Sequence, residues 1–283
     1  MNNLSYFSLH THTHFSNLRL LDSINKPKQL IEKAMEYGLT GIAITDHECL
    51  SASIEVNNIY KEIRKTNKDF KVAIGNEIYL TETRDKSQKY FHFILIAKDS
   101  KGHRLLRELS SKAWYNSYTD RGMVRVPTLK SELKEIVSKD KGHLIATTAC
   151  MGGEYSQLVL ELIELESKRN RDYDKENEIK QKIVDFINFM KDLFGADFYV
   201  ETAPSTDEEQ IKVNRKNKQI ADALGIKTVF ATDAHYLTKE DRYVHKVYLN
   251  SKQGEREVDD FYKFAYLMSG EEANEVLLSS FSQ

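Results

Sequence analysis

Histidine occupies positions 10, 12 and 14 of the stretch Ser-Leu-His-Thr-His-Thr-His-Phe-Ser that runs from residue 8 to residue 16. In an extended strand alternate side chains leave the same face, so this spacing presents two or three imidazoles together. Two imidazoles on one face are half of a transition-metal site. A lone His-x-His is more often the solvated side of a strand. The pair gains meaning from other residues of the same chemical kind: Asp46-His47, Glu77, His92, Cys150, and Asp233 with His235. Imidazole, carboxylate and thiolate are the side chains that ligate zinc and its neighbours.

These residues fall at set places relative to the elements that carry them. Short apolar stretches at 6–9, 40–45, 71–75, 91–97, 143–150, 197–201 and 227–232 read as seven buried strands. Helical spacing fills the intervals. One helix has Pro27 in its first turn, apolar Leu30, Ile31, Ala34 and Met35, and Gly38 at its end. Others are expected over 51–67, 102–115, 129–138, 154–167 and 207–224. Residues 115–125 read as an exposed loop, and the charged stretch 168–182 as a solvated turn and helix face. Strands alternating with helices predict parallel pairing in a barrel or a doubly wound sheet.

Nine potential ligands then lie on six strands, at or near the C-terminal ends, with His92 at or inside the fourth. That end of a β/α barrel is where loops converge on a site. Each residue alone has an ordinary explanation. Asp46 could cap the helix that follows, Glu77 and Glu201 could be exposed charges, His92 a core histidine and Cys150 a small buried hydrophobe. Together, ionisable groups crowded at one mouth repel and desolvate one another unless a cation holds them. His143 sits at the start of a strand, the wrong end.

Imidazoles with two or three carboxylates and one thiolate suit Zn²⁺ first, with Fe²⁺ or Mn²⁺ as alternatives. Nine ligands exceed one zinc's three or four, so two or three divalent ions are expected, with Glu77 as a natural bridge. Clustered ions generate hydroxide from water and neutralise phosphoryl oxygens, which points to phosphoester hydrolysis.

Composition sets the frame. The chain has 283 residues, 41 Lys+Arg against 43 Asp+Glu, and a formal charge of -2, so any contact with nucleic acid must come from a local patch. No apolar run approaches the length of a membrane span and the N-terminus lacks signal-peptide features, which makes a cytoplasmic protein the default. Two cysteines, Cys49 and Cys150, are each to be explained singly there.

The motifs His10-Thr-His12, Thr45-Asp46-His47, Gly75-Asn76-Glu77, residues 92–97, Thr148-Ala149-Cys150-Met-Gly-Gly-Glu154 and Ala231-Thr-Asp233-Ala-His235-Tyr236 resemble the ordered motifs of the polymerase and histidinol phosphatase (PHP) family. More closely, the chain resembles the N-terminal PHP domain of bacterial DNA polymerase III alpha subunits, a likeness that extends to residues 105–113, Phe198-Tyr-Val-Glu201 and residues 265–272. The resemblance implies a distorted seven-stranded (β/α)7 barrel with a trinuclear cluster. Its ligands would be His10, His12, Asp22, His47, Glu77, His92, Cys150, Asp233 and His235. Asp22, from the Leu-Leu-Asp loop, thus replaces Asp46, which becomes a residue that orients a ligand. Residues 17–19 lengthen the loop before Asp22, and His14 is expected at the surface with no role. The PHP domain is expected to span 1–249, with 250–283 as an extension resembling the start of the polymerase's next segment. The chain is either a free-standing relative, from a phage or mobile element, or a piece of something longer.

Three functions follow from that reading. The first is a metal-dependent 3'-5' DNA exonuclease linked to replication, acting on a single-stranded or frayed 3' end. Arg19, Arg121 and Arg125 would contact phosphate and Tyr115 and Tyr118 would stack on bases; a solvated loop is the ordinary alternative for each. The second is a non-catalytic metal-binding module of a replicative polymerase. The third is a small-molecule phosphatase of the histidinol phosphatase type.

Overall fold

The structure is a computed structural model that describes residues 4–18, 21–120, 122–251 and 261–281. Its main sheet carries the seven expected strands: β1 (Phe7–Ser8), β2 (Gly41–Ile44), β3 (Lys71–Thr81), β4 (Phe91–Ala97), then, after the short strands β5 (Tyr118–Asp120), β6 (Met123–Arg125) and β7 (Pro127–Leu129), β8 (Leu144–Thr147), β9 (Phe198–Thr202) and β10 (Lys227–Phe230). The order across the sheet is β1-β2-β3-β4-β8-β9-β10, with β7 added beside the far end of β3. The sheet curls until its two edges meet: beyond β1 and β10, Thr11 bridges Ala234, His12 N donates to Ala234 O (2.9 Å), and Ala234 N donates to His10 O (3.2 Å).

Two features correct the sequence-based expectation. β4 pairs antiparallel with both β3 and β8, while the other neighbours in the row are parallel. A connection of residues 82–90 between β3 and β4 reverses the chain without the crossover helix that parallel strands need. β3 is also longer than its apolar core suggests, so Glu77 lies within it and not at its end. Furthermore, residues 115–125 are not a plain loop: β5 and β6 form a separate two-stranded antiparallel hairpin.

Helices cover the outside: α1 (Pro27–Glu36), α2 (Ser53–Thr66), α3 (Ser100–Tyr115), α4 (Lys130–Val137), α5 (Glu154–Ser167), α6 (Tyr173–Phe194), α7 (Glu208–Ala223), α8 (Arg242–Asn250) and α9 (Gly270–Phe281). Aspartates 99, 172 and 207 cap α3, α6 and α7 by accepting backbone N–H groups of their first turns. α6 absorbs most of the charged stretch as a 22-residue helix, with Ile179, Ile183, Phe186, Ile187, Met190 and Leu193 on its buried face. One large apolar cluster joins α3 to α7 to the sheet, and a second packs α1 and α2 on β2. Among the described residues no helix is long and apolar enough to cross a membrane.

Residues 261–268 return to the mouth of the barrel. Tyr266 bridges Tyr236, and Ala265, Tyr266, Leu267 and Met268 are buried. Leu267 joins the apolar cluster of α1 and α2.

Candidate metal centre

The parallel strands deliver His10, His12, His47, Cys150, Asp233 and His235 at or beyond their C-terminal ends. Because β4 runs the other way, its first residues, not its last, face the same mouth, and His92 joins the group from there. His92 lies opposite Tyr79 across the β3–β4 pair, and Glu77 is held beside His47 by a parallel bridge. All nine residues named by the resemblance thus meet in one place. Seven of them are buried, and His47 and His92 are partly so.

Glu77 occupies the middle. Its Oε2 is 3.1 Å from His10 Nε2, 3.0 Å from His12 Nε2 and 3.2 Å from His47 Nδ1, and its Oε1 contacts His92 Nδ1. Asp233 Oδ1 is 3.1 Å from both His10 Nε2 and His12 Nε2. Cys150 Sγ lies 3.6 Å from His92 Nδ1. Asp22 Oδ2 reaches His47 Nε2 at 2.6 Å and His235 Nε2 at 2.9 Å. Three groups of donors within 4.8 Å of one another result: Glu77, His92 and Cys150; His10, His12, Glu77 and Asp233; and His12, His47 and His235, the last with Asp22 against it.

The backbone is strained where it presents these residues. Asp233 itself, Ala149 before Cys150 and Glu48 after His47 all have φ near +50° to +60°, a left-handed conformation that side chains other than glycine resist. Gly152 and Gly153 allow a close approach: His92 N donates to Gly152 O (3.0 Å), and a Cβ on Gly153 would lie 2.1 Å from Thr148 O.

Outside the nine, a layer of partners fixes the imidazoles. His10 Nδ1 donates to Glu201 Oε1 (2.8 Å), and Glu201 Oε2 accepts from Thr147 Oγ1 (2.6 Å). His12 Nδ1 donates to Ser16 Oγ (3.1 Å), which donates to Asp46 Oδ1 (2.8 Å). His235 Nδ1 donates to the carbonyl of Asp233 (2.7 Å). With each Nδ1–H so engaged, the Nε2 lone pairs of His10, His12 and His235 aim inward. Asp46 is buried two hydrogen bonds from the nearest proposed ligand nitrogen; it also accepts from Thr13 N (2.6 Å).

Electrostatics of the protein alone are unbalanced without added cations. Burial opposes charge on His10, yet Asp233, Glu201 and Glu77 outweigh it and hold the imidazole's pKa well above the ordinary range. His47 is raised likewise against burial, by Tyr79, Glu77 and Asp22, and His235 is raised by Asp22 and Asp233. Burial opposes the charge of Glu77 and of Asp22, but their facing histidines hold both well below the carboxylate range. Burial, with Asp233 and Glu77, pushes the Cys150 thiol far up. Protons on imidazoles therefore stand where divalent cations would neutralise the carboxylates. The buried atoms His12 Nε2, Glu77 Oε1 and Asp233 Oδ1 make no hydrogen bond despite facing partners. Donor types, inward lone pairs and unsatisfied buried atoms all fit a metal cluster.

Several residues near the site had no role assigned to them from sequence. Glu201 is buried, not an exposed charge, and the only signal for it is Phe-Tyr-Val-Glu at a strand end. His245 and Tyr262 carry no motif at all, and Ser16 enters only as the end of the histidine stretch. Of the residues proposed to bind nucleic acid, Arg19 and Arg121 lie outside the described residues. Tyr115 is 90% exposed at the end of α3. Tyr118 and Arg125 are cross-strand partners in the β5–β6 hairpin; the Tyr118 hydroxyl contacts that of Tyr90, and the Arg125 guanidinium lies 5.9 Å over the Tyr90 ring. Tyr90 precedes His92 by two residues, which places the hairpin at the His92 side of the mouth. His14 is exposed.

The PHP domain family profile matches residues 8–205. The chain belongs to the PHP domain family. Among relatives of this PHP chain, the probable DNA polymerase YorL of Bacillus subtilis is 43% identical over 94% of this chain and 21% of its own length. The DNA polymerase III alpha subunit of Aquifex aeolicus is 34% identical over 86% of this chain and 19% of its own. The chain thus spans about a fifth of the length of the curated relatives it matches. A solved amidohydrolase from Chromobacterium violaceum, 14% identical, gives a TM-score of 0.47 over 81% of this chain and 87% of its own.

Proposed function

We propose that this PHP domain is a metal-dependent phosphoesterase acting on nucleic acid, a 3'-5' DNA exonuclease linked to replication, with His10, His12, Asp22, His47, Glu77, His92, Cys150, Asp233 and His235 as ligands of two or three divalent ions. Zinc is the first choice from the donor set, with manganese or iron next. The observation that carries the reading is the convergence of all nine at one mouth, with buried nitrogen and oxygen atoms crowded together where shared cations would satisfy them. When bound, the ions supply positive charge that acidifies water and neutralises phosphoryl oxygens.

The protein's own residues orient and shield. Glu201, and Ser16 with Asp46, hold His10 and His12 with their lone pairs inward, so the site is set before substrate arrives. A cavity of about 330 Å³ opens beside Cys150 and Asp233, lined also by Met151, Gln157, Thr232 and Phe264. That volume suits one small ligand, such as a terminal nucleotide. Among the described residues that line it, Asp207 and Glu209 are acidic and none is a lysine or arginine, so cations at its floor would draw a phosphate in. The β5–β6 hairpin, with Tyr118 and Arg125, would support the strand leading to the site. Relatives named as DNA polymerases favour a DNA substrate over a small phosphate ester.

The test is hydrolysis of 3'-labelled single-stranded DNA by protein loaded with Zn²⁺ or Mn²⁺, beside histidinol phosphate. Stepwise release of 3' nucleotides, lost with a chelator and in Asp233→Ala, is expected. Equal rates in Asp233→Ala and the parent would refute the assignment.

A further inference from the structure

Asp22 comes from an irregular stretch, residues 21–26, between the first turn of the chain and α1. No strand register fixes it, unlike Glu77 or His92. Its fixation comes instead from beyond the last barrel strand. Tyr262 Oη donates to Asp22 Oδ1 (2.8 Å), leaving Oδ2 to face His47 and His235. His245 Nε2, on α8, donates to the backbone carbonyl of Asp22 (2.6 Å). Asn17 accepts the N–H groups of Asp22 and Ser23 on its Oδ1 (2.8 and 2.9 Å) and donates to Tyr248 Oη of α8 (2.9 Å).

The same segment grips His235. The Tyr262 ring stands edge-on to the His235 ring at 5.1 Å, Ala265 O accepts from His235 N (2.8 Å), and Tyr236 Oη donates to the carbonyls of Tyr262 (2.6 Å) and Lys263 (3.0 Å). By contrast, the groups around Glu77 and His10 are steadied by Glu201, Thr147, Ser16 and Asp46, all from the barrel or its first loops.

We propose that Tyr262 is a positioning residue, and that α8 with residues 261–266 completes the Asp22–His47–His235 corner, so that the third metal position forms only when this C-terminal segment is docked. The proposal rests on Asp22 being a ligand, as read above. A carboxylate with one oxygen anchored by a phenol presents the other in a fixed direction; without the anchor it rotates and the corner loses a ligand. The barrel's other two donor groups keep all their partners. Docking of the C-terminal segment is thereby linked to occupancy of one metal position out of three.

The experiment counts metal. Tyr262→Phe keeps the ring and removes the hydroxyl; Tyr266→Phe, whose hydroxyl donates to Glu272, serves as the control in the same segment. Zn²⁺ and Mn²⁺ titrations by calorimetry, with metal counting by mass spectrometry, are expected to give three equivalents in the parent and in Tyr266→Phe. Tyr262→Phe is expected to hold two tightly and the third about 10- to 100-fold more weakly. His245→Gln, which keeps a donor, should retain the third equivalent, and His245→Leu should lose it. A third equivalent bound by Tyr262→Phe at parental affinity would overturn the proposal. So would parallel weakening of all three, which marks a general structural role. A parent that binds no metal would instead remove the ligand assignment itself, and this inference with it.

Discussion

Glu77, His92 and Cys150 stand on β3, on β4 and on the glycine-rich turn after β8, whereas Asp22 and His235 stand on irregular chain steadied by α8 and residues 261–266. The first wall is positioned by sheet register: once Tyr79 pairs with His92 and Ile94 with Glu77, the spacing between carboxylate and imidazole is set. The second wall has only isolated bridges beside His235, and its Asp22 carboxylate and carbonyl rely on single side-chain hydrogen bonds from Tyr262 and His245, each of which one substitution removes. Register is cooperative and resists point changes; a lone bond to a carboxylate does not.

The largest effect should follow from removing a group shared between the walls. His12 belongs to two of the three donor groups, so His12→Ala should lower hydrolysis of the DNA substrate by about three orders of magnitude, on the scale of losing a group that stabilises transition-state charge. Steady-state kinetics at saturating metal would check it. Next comes the turn that supports the strand-built wall. Gly153→Ala drives a Cβ into Thr148 O, and the strain should cost about 1–3 kcal/mol, read as a lower midpoint in urea; an unchanged midpoint would mean the turn yields freely. Glu201→Gln should act more gently, weakening the His10 group about 10-fold in metal affinity while leaving the Asp22 corner untouched, and a metal titration resolves the two.

The smallest effect is a slope with pH. His10, His47 and His235 all have raised values in the protein alone. In chelated protein these histidines therefore contribute stability that is fully present below their unfolded value near pH 6.5, and that is lost as pH rises through their folded values. Metal must displace the same protons, so its affinity should rise with pH over that window. Calorimetry in buffers of different ionisation enthalpy would show the protons released; zero release would contradict the sign.

Much of this was legible in the sequence where a repeating physical signal exists. Seven apolar runs announced seven strands because burial demands them, and their ends gathered the histidines. What lacked periodicity was missed. Nothing local tells that β4 runs backwards, since an apolar run reads alike in both directions, and β3 concealed its length because Asn76 and Glu77 interrupt the apolar pattern. The β5–β6 hairpin, with three-residue strands, was too short to register. Asp22 came only through resemblance, because an irregular loop carries no pattern. Glu201, Ser16, His245 and Tyr262 act through hydrogen bonds, most of them with partners far away in sequence; separations of 191 and 240 residues leave no trace in composition or spacing.

The reversed direction of β4 bears on how the chain reaches this structure. Parallel neighbours such as β8 and β9 must wait for a long crossover to close, whereas β3 and β4 join through residues 82–90 alone. Short closures cost less entropy and happen sooner. Among ligands that meet across neighbouring strands, Glu77 and His92 should therefore meet first, which makes their hairpin the natural nucleus of the barrel. Pulse-labelled hydrogen exchange during refolding should find amides of β3 and β4 protected ahead of those joining β1 to β2, and the seam between Thr11 and Ala234 last of all.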